Sequence, residues 1–143
     1  MPVTDGGGGL THLFPSPDAL AGASPSLAGG RGATLDRLVD ALGSGRLDLG
    51  PGCDRDEARR VLGALGGIGP WTVEMVAMRA LGDPDAFCAG DLGVRRAAGG
   101  LDLATTPAAL RARTDGWRPW RAYAVQYLWA TSDHPVNLSL IHI

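Results

Sequence analysis

"LGGIGPWTVEMVAMRALGDPDAFCAGD", Leu65–Asp91, joins a doubled glycine, a Gly-Pro-Trp-Thr step, an apolar segment and a solitary aspartate. Upstream, Asp54 and Glu57 have capping-box spacing, and Ala58, Val61, Leu62 and Leu65 form an apolar stripe that ends at Gly66-Gly67. Downstream, Trp71–Leu81 reads as a second helix, with Val73, Val76, Ala77, Ala80 and Leu81 mostly apolar. Between the two helices, Gly67 and Gly69 flank Ile68, so the backbone can turn tightly while the isoleucine anchors the turn. The amides that follow open a helix, where the macrodipole favours an anion. A lone Gly-x-Gly also reads as an ordinary glycine C-cap in a tight αα-hairpin.

The rest of the chain is punctuated helically. Ser16-Pro17 starts a short helix. Thr34 is placed to cap another, with Leu35, Leu38, Val39 and Leu42 on one face and Gly43 as its stop. "GDPD" at Gly82–Asp85 breaks the chain, with Asp83 and Asp85 read as turn formers. Asp91 caps a helix to Ala98 that Gly99-Gly100 ends, Thr106-Pro107 starts one more, and Pro119 opens a last helix through Ala130. Only "RLDL" at Arg46–Leu49 hints at a strand, and it is too short to count. The fold class is all-α.

Composition narrows the chemistry. The 143 residues fit one domain of moderate core. A net charge of −2 argues against gripping nucleic acid by bulk electrostatics, though not by backbone amides. All 13 basic residues are arginine, so no side-chain amine exists for a Schiff base. Cys53 and Cys88 are far apart, with no C-x-x-C, and predict neither a zinc site nor an iron–sulfur loop; a reduced cytoplasmic setting is the simple reading. No run approaches membrane-span length. Residues 1–10 read as a Gly-rich linker or truncated interior loop. Leu138–Ile143, "LSLIHI", is the translation of CTG-TCT-CTT-ATA-CAC-ATC, a string similar to a transposon-end adaptor, and reads as a non-native tail.

"LGGIGPWT" followed by "RALGDPDAF" and Gly90-Asp91 resembles the helix–hairpin–helix and catalytic-aspartate region of base-excision DNA glycosylases. Within that superfamily the chain is similar to the AlkA-type DNA-3-methyladenine glycosylases II. "LTHLFPSPDAL" at Leu10–Leu20 and "WRPWRAYAVQYLW" at Trp117–Trp129 also resemble segments of that family. The resemblance implies a partial glycosylase domain over residues 11–137, incomplete at its N-terminus because the family carries a β-rich domain and further helices first. Removing part of a helical core exposes apolar surface, so the isolated chain is expected to be weakly stable or inactive even where its parent is an enzyme.

The implied activity is monofunctional: hydrolysis of the N-glycosidic bond of alkylated purines such as 3-methyladenine, in base-excision repair of double-stranded DNA. By this resemblance Asp91 is the catalytic carboxylate, and Gly67, Gly69 and Thr72 hold a DNA phosphate. Trp71 and Trp129 frame the base, with Met75 and Leu92 (and Ala130) where relatives line the pocket with tyrosines. The carbonyls of Gly63, Leu65 and Ile68 are implied ligands of a structural Na or K ion; no cofactor is otherwise required. Where bifunctional relatives place a lyase lysine, this chain has Trp71, which predicts no lyase activity. The family usually has proline at Gly66.

Trp117, Trp120 and Tyr123 read as core; Arg79, Arg95, Arg96, Arg118 and Arg121 as solvated or ion-paired; His12 and His134 receive no role. The chain is expected to be a monomer. Two alternatives stay open: a non-catalytic helix–hairpin–helix DNA-binding module in which Asp91 only caps a helix, and a truncated inactive fragment.

Overall fold

A computed structural model of the chain describes residues 11–21, 23, 27 and 29–131. The linker at 1–10, the tail at 138–143 and His134 lie outside the described residues. Those described form helices α1 (Pro17–Ala21), α2 (Arg31–Gly43), α3 (Arg55–Ala64), α4 (Pro70–Arg79), α5 (Leu92–Gly100), α6 (Pro107–Arg113) and α7 (Arg121–Ala130), with a 3-10 turn at Asp115–Trp117. The all-α expectation holds: "RLDL" is not a strand. None of these helices is long and apolar enough to cross a membrane.

Local caps set most helix starts. The Ser16 hydroxyl accepts from the Ala19 amide in α1. Asp54 accepts from the amides of Asp56 and Glu57 at α3, and Thr106 from Ala109 at α6. Half of the predicted capping box is present, since the Glu57 carboxylate takes the Arg60 guanidinium. Two expected starts are corrected. Gly30, in the left-handed region, precedes α2, while Thr34 sits inside the helix with its hydroxyl committed elsewhere. Pro119 follows a cis Arg118–Pro119 bond and lies before α7, whose first helical residue is Arg121.

Tertiary packing pairs α1 with α2, α3 with α4, and α5 with α7. One apolar cluster gathers Leu62, Leu65, Val73, Ala77 and Leu81 between α3 and α4. A second gathers Phe87, Val94, Leu110, Val125 and Leu128 around α5–α7. Met78 packs against both clusters and joins them. Each fully buried leucine, such as Leu62, Leu110 or Leu128, contributes about 1.5–3 kcal/mol of burial. The core assignment of Trp120 and Tyr123 is corrected: both are exposed and meet edge to face at 5.8 Å, because α7 turns that side outward. Trp117 does pack against the second cluster, half-buried. Large apolar side chains are also exposed at Phe14, Leu101 and Tyr127.

Candidate active site

The α3–α4 turn is fixed by one glycine. Gly67 has φ 94°, and a Cβ there would stand 2.0 Å from the Thr34 hydroxyl oxygen. That hydroxyl donates to the Gly66 carbonyl (3.2 Å), as does the Arg37 guanidinium (3.0 Å), so α2 braces the turn. A Cβ on Gly66 would only touch Arg37, at 3.4 Å.

Gly69 differs from what its spacing suggests. Its φ of −93° and ψ of 170° suit any residue, and a Cβ would meet nothing within 4 Å. The turn therefore does not require glycine there. Its bareness leaves the N-terminus of α4 open, with no capping side chain and Pro70 in the first turn. Ile68 packs partly buried against the first cluster, as expected of an anchor.

The chain then crosses from α4 to Asp91 through a buried connection, Ala86–Ala89. Glu74 accepts from the Phe87 amide (2.9 Å) and faces Arg59 at 3.6 Å. Asp83 accepts from the Asp85 amide (2.8 Å) and pairs with Arg59. Asp85 takes both Nε and Nη2 of Arg121, at 2.6 and 2.7 Å, and Arg118 at 2.8 Å. The two aspartates of the turn are thus ionic ties to α3 and α7 as well as turn formers.

Arg121 beside Asp85 holds that carboxyl below its ordinary value, outweighing burial. Burial pushes Asp83 up, but the Asp85 amide and Arg59 overcome it and the net direction is down. Cys88 goes the other way, pushed up to about 12 by burial and then by Glu74 and Asp91, which keeps the thiol protonated and unreactive.

Asp91 is only 9% exposed at the N-cap of α5. Its Oδ1 accepts from the Val94 amide (2.9 Å) and from Trp129 Nε1 (2.9 Å). Its Oδ2 accepts from Trp71 Nε1 at 2.8 Å. Trp71 is two residues beyond Gly69, so this bond ties the carboxylate to the first turn of α4.

The remaining predicted residues scatter around this centre. Trp71 is 48% exposed, whereas Trp129 is 5% exposed, with the Arg79 guanidinium 5.8 Å from its ring centroid. Leu92 is exposed directly after Asp91, Met75 packs against the second cluster, Thr72 is half-buried and Ala130 is exposed. Arg95 donates to the Thr105 carbonyl.

Gly63, Leu65 and Ile68 sit at the corner between α3 and α4, where the Leu65 carbonyl accepts from the Ile68 amide at 3.1 Å. No group of three or more His, Cys, Asp or Glu that could hold a metal occurs among the described residues. A surface concavity of about 760 Å³ near Cys53, Arg55 and Gly82 shares no lining residue with Asp91 or the hairpin.

Two ties to the carboxylate and the braces on the turn escaped sequence reading. The donors lie 20 and 38 residues from Asp91, and Thr34 lies 32 from Gly66, separations that no helical period encodes.

No protein-family model matches the chain. It is 50% identical over 139 residues to a probable bifunctional transcriptional activator/DNA repair enzyme AlkA of Mycobacterium tuberculosis, covering 95% of this chain and 28% of the relative. Against DNA-3-methyladenine glycosylase 2 of Escherichia coli the identity is 32%, over 82% of this chain and 43% of the relative. The chain thus spans between about a quarter and under half of these relatives' length. The crystal structure of a DNA-3-methyladenine glycosidase from Bacillus halodurans superposes with a TM-score of 0.69 at 26% identity, over 96% of this chain and 69% of that one. A 3-methyladenine DNA-glycosylase from Archaeoglobus fulgidus superposes at 0.65 with 24% identity, over 86% of this chain and 45% of that one, and shows the fold alone. By sequence and by fold, the chain is a homologue of one segment of the AlkA-type DNA-3-methyladenine glycosylases.

Proposed function

We propose that this chain supplies the DNA anchor and the catalytic carboxylate of a monofunctional DNA glycosylase acting on alkylated purines such as 3-methyladenine in duplex DNA. The observation that carries this reading is the 2.8 Å bond from Trp71 to Asp91, which joins the hairpin helix to the carboxylate. A phosphate held at the bare Gly69 end of α4, with Gly67 and Thr72 beside it, brings a neighbouring sugar toward Asp91.

Breaking the N-glycosidic bond builds positive charge on the sugar, and a fixed, poorly solvated carboxylate stabilises that charge. The same group orients water for attack on the sugar carbon. An alkylated purine already carries positive charge, so it departs without a strong general acid. Its extraction from the duplex costs a few kcal/mol, least where pairing is damaged. The half-exposed Trp71 ring then offers π density to the cationic base, with Leu92 and Met75 as apolar wall and Trp129 behind the carboxylate. No step depends on a cation at the hairpin, where the Arg37 guanidinium already bonds the Gly66 carbonyl.

The chain lacks lysine, so strand scission through a Schiff base finds no side-chain amine in it. Where the chain is active on a duplex carrying one alkylated purine, the expected products are free base and an intact abasic strand that breaks only on alkali or heat. Cleavage by β-elimination without either treatment contradicts the monofunctional assignment.

A further inference from the structure

An N-cap aspartate needs only its backbone partner, here the Val94 amide at 2.9 Å, to do the work of a cap. Asp91 receives two further donors, both indole N–H groups, one from the first turn of α4 and one from the last turn of α7. The pair divide the carboxylate between them, Trp71 on Oδ2 and Trp129 on Oδ1. One side chain is thereby tied to three helices. The burial of Trp129, 5% exposed, leaves its ring little open face for a base, while its N–H is fully used.

We infer that Trp71 and Trp129 are positioning residues whose indole N–H groups lock the Asp91 carboxylate in one orientation relative to the hairpin. The inference rests on the glycosylase reading of Asp91 and deepens it, because it gives the indole nitrogens a task of their own beside that of the Trp71 ring face. The Val94 amide alone leaves the carboxylate free to swing about its last torsion; donors on both oxygens remove that freedom. A charge aligned before the reaction need not reorganise during it, which is where electrostatic catalysis gains most. The Trp71 tie adds a mechanical consequence. The turn that meets the phosphate and the oxygen that meets the sugar are separated by one side chain, so a displacement of either is felt by the other. Phenylalanine at either position preserves an aromatic ring and removes the donor.

The test uses the full chain, labelled with ¹⁵N. In its ¹⁵N–¹H spectrum, the indole resonances of Trp71 and Trp129 are expected to move on Asp91→Asn, while those of Trp117 and Trp120 stay in place. Single-turnover excision from an alkylated-purine duplex then compares Trp71→Phe and Trp129→Phe with the exposed-site control Trp120→Phe. Each of the first two is expected to lower the single-turnover rate constant by about tenfold or more with the duplex Kd within about twofold, and the control to match the parent.

Static indole resonances on Asp91→Asn overturn the inference. So does a wild-type single-turnover rate constant in both phenylalanine variants when Asp91→Asn abolishes excision, an outcome that leaves the glycosylase reading standing. Full excision by Asp91→Asn sinks that reading instead, and the spectrum then decides the positioning claim alone. If Trp129→Phe fails to melt cooperatively, the spectrum and Trp71→Phe carry the decision.

Discussion

Two glycines two residues apart in the hairpin have different physical reasons for being glycine. Gly67 is demanded by the fold, through its left-handed backbone and the Thr34 hydroxyl in its missing Cβ position. Gly69 has ordinary angles and empty space around it. Gly67→Ala is therefore expected to destabilise the chain by about 1–3 kcal/mol, read as a shift in denaturant midpoint at unchanged slope. Gly69→Ala is expected to leave stability within about 0.5 kcal/mol. It is also expected to weaken duplex binding, because the methyl group enters the approach to the α4 amides. Equal effects of the two substitutions on stability would show that the distinction is mistaken. The sequence pattern marks both glycines alike, since Gly-Ile-Gly carries no record of the helix that packs above it.

Helix boundaries were legible wherever a local signal makes them, as at Ser16, Asp54, Asp91 and Thr106. They were misread where a distant contact intervenes. Thr34 has the right chemistry for a cap, but its hydroxyl serves the hairpin. The "GDPD" turn shows the same limit, being legible as a turn while its ties to Arg59 and Arg121 were not.

These ties carry a pH dependence with a definite sign. Asp83 and Asp85 titrate below their ordinary value of 3.8 in the fold. Their stabilisation is complete above that value and is lost as pH falls through the lower, folded-state values. The melting temperature is expected to fall in that acid range, and Asp85→Asn to flatten the fall. Arg121→Ala, which removes a largely buried partner of Asp85, is expected to cost about 1–3 kcal/mol near neutral pH. A melt of Asp85→Asn with the parent's acid dependence would remove this ion pair from the account.

At the level of the molecule, two apolar clusters meet at Met78, and the buried Ala86–Ala89 connection runs from one to the other before delivering Asp91. The order hairpin, apolar helix, sharp turn, aspartate was readable from Leu65–Asp91, because each step is local. What encloses the carboxylate was not, because Trp129 arrives from α7 and its indole reads equally as core or pocket until the fold places it. The exposed aromatic face of α7, with Trp120, Tyr123 and Tyr127, was likewise hidden by a composition that suggests burial.

Whether Asp91 does chemistry or only caps a helix is decided by replacing its charge while keeping its shape. Asparagine retains a side-chain oxygen for the Val94 amide but sets an NH2 group against the Trp71 N–H, so Asp91→Asn is expected to fold and to bind duplex DNA with the Trp71 tie broken. Its single-turnover release of 3-methyladenine is expected to fall by roughly 100-fold or more. Release at the parent's rate, from a variant confirmed to be folded, would contradict the assignment.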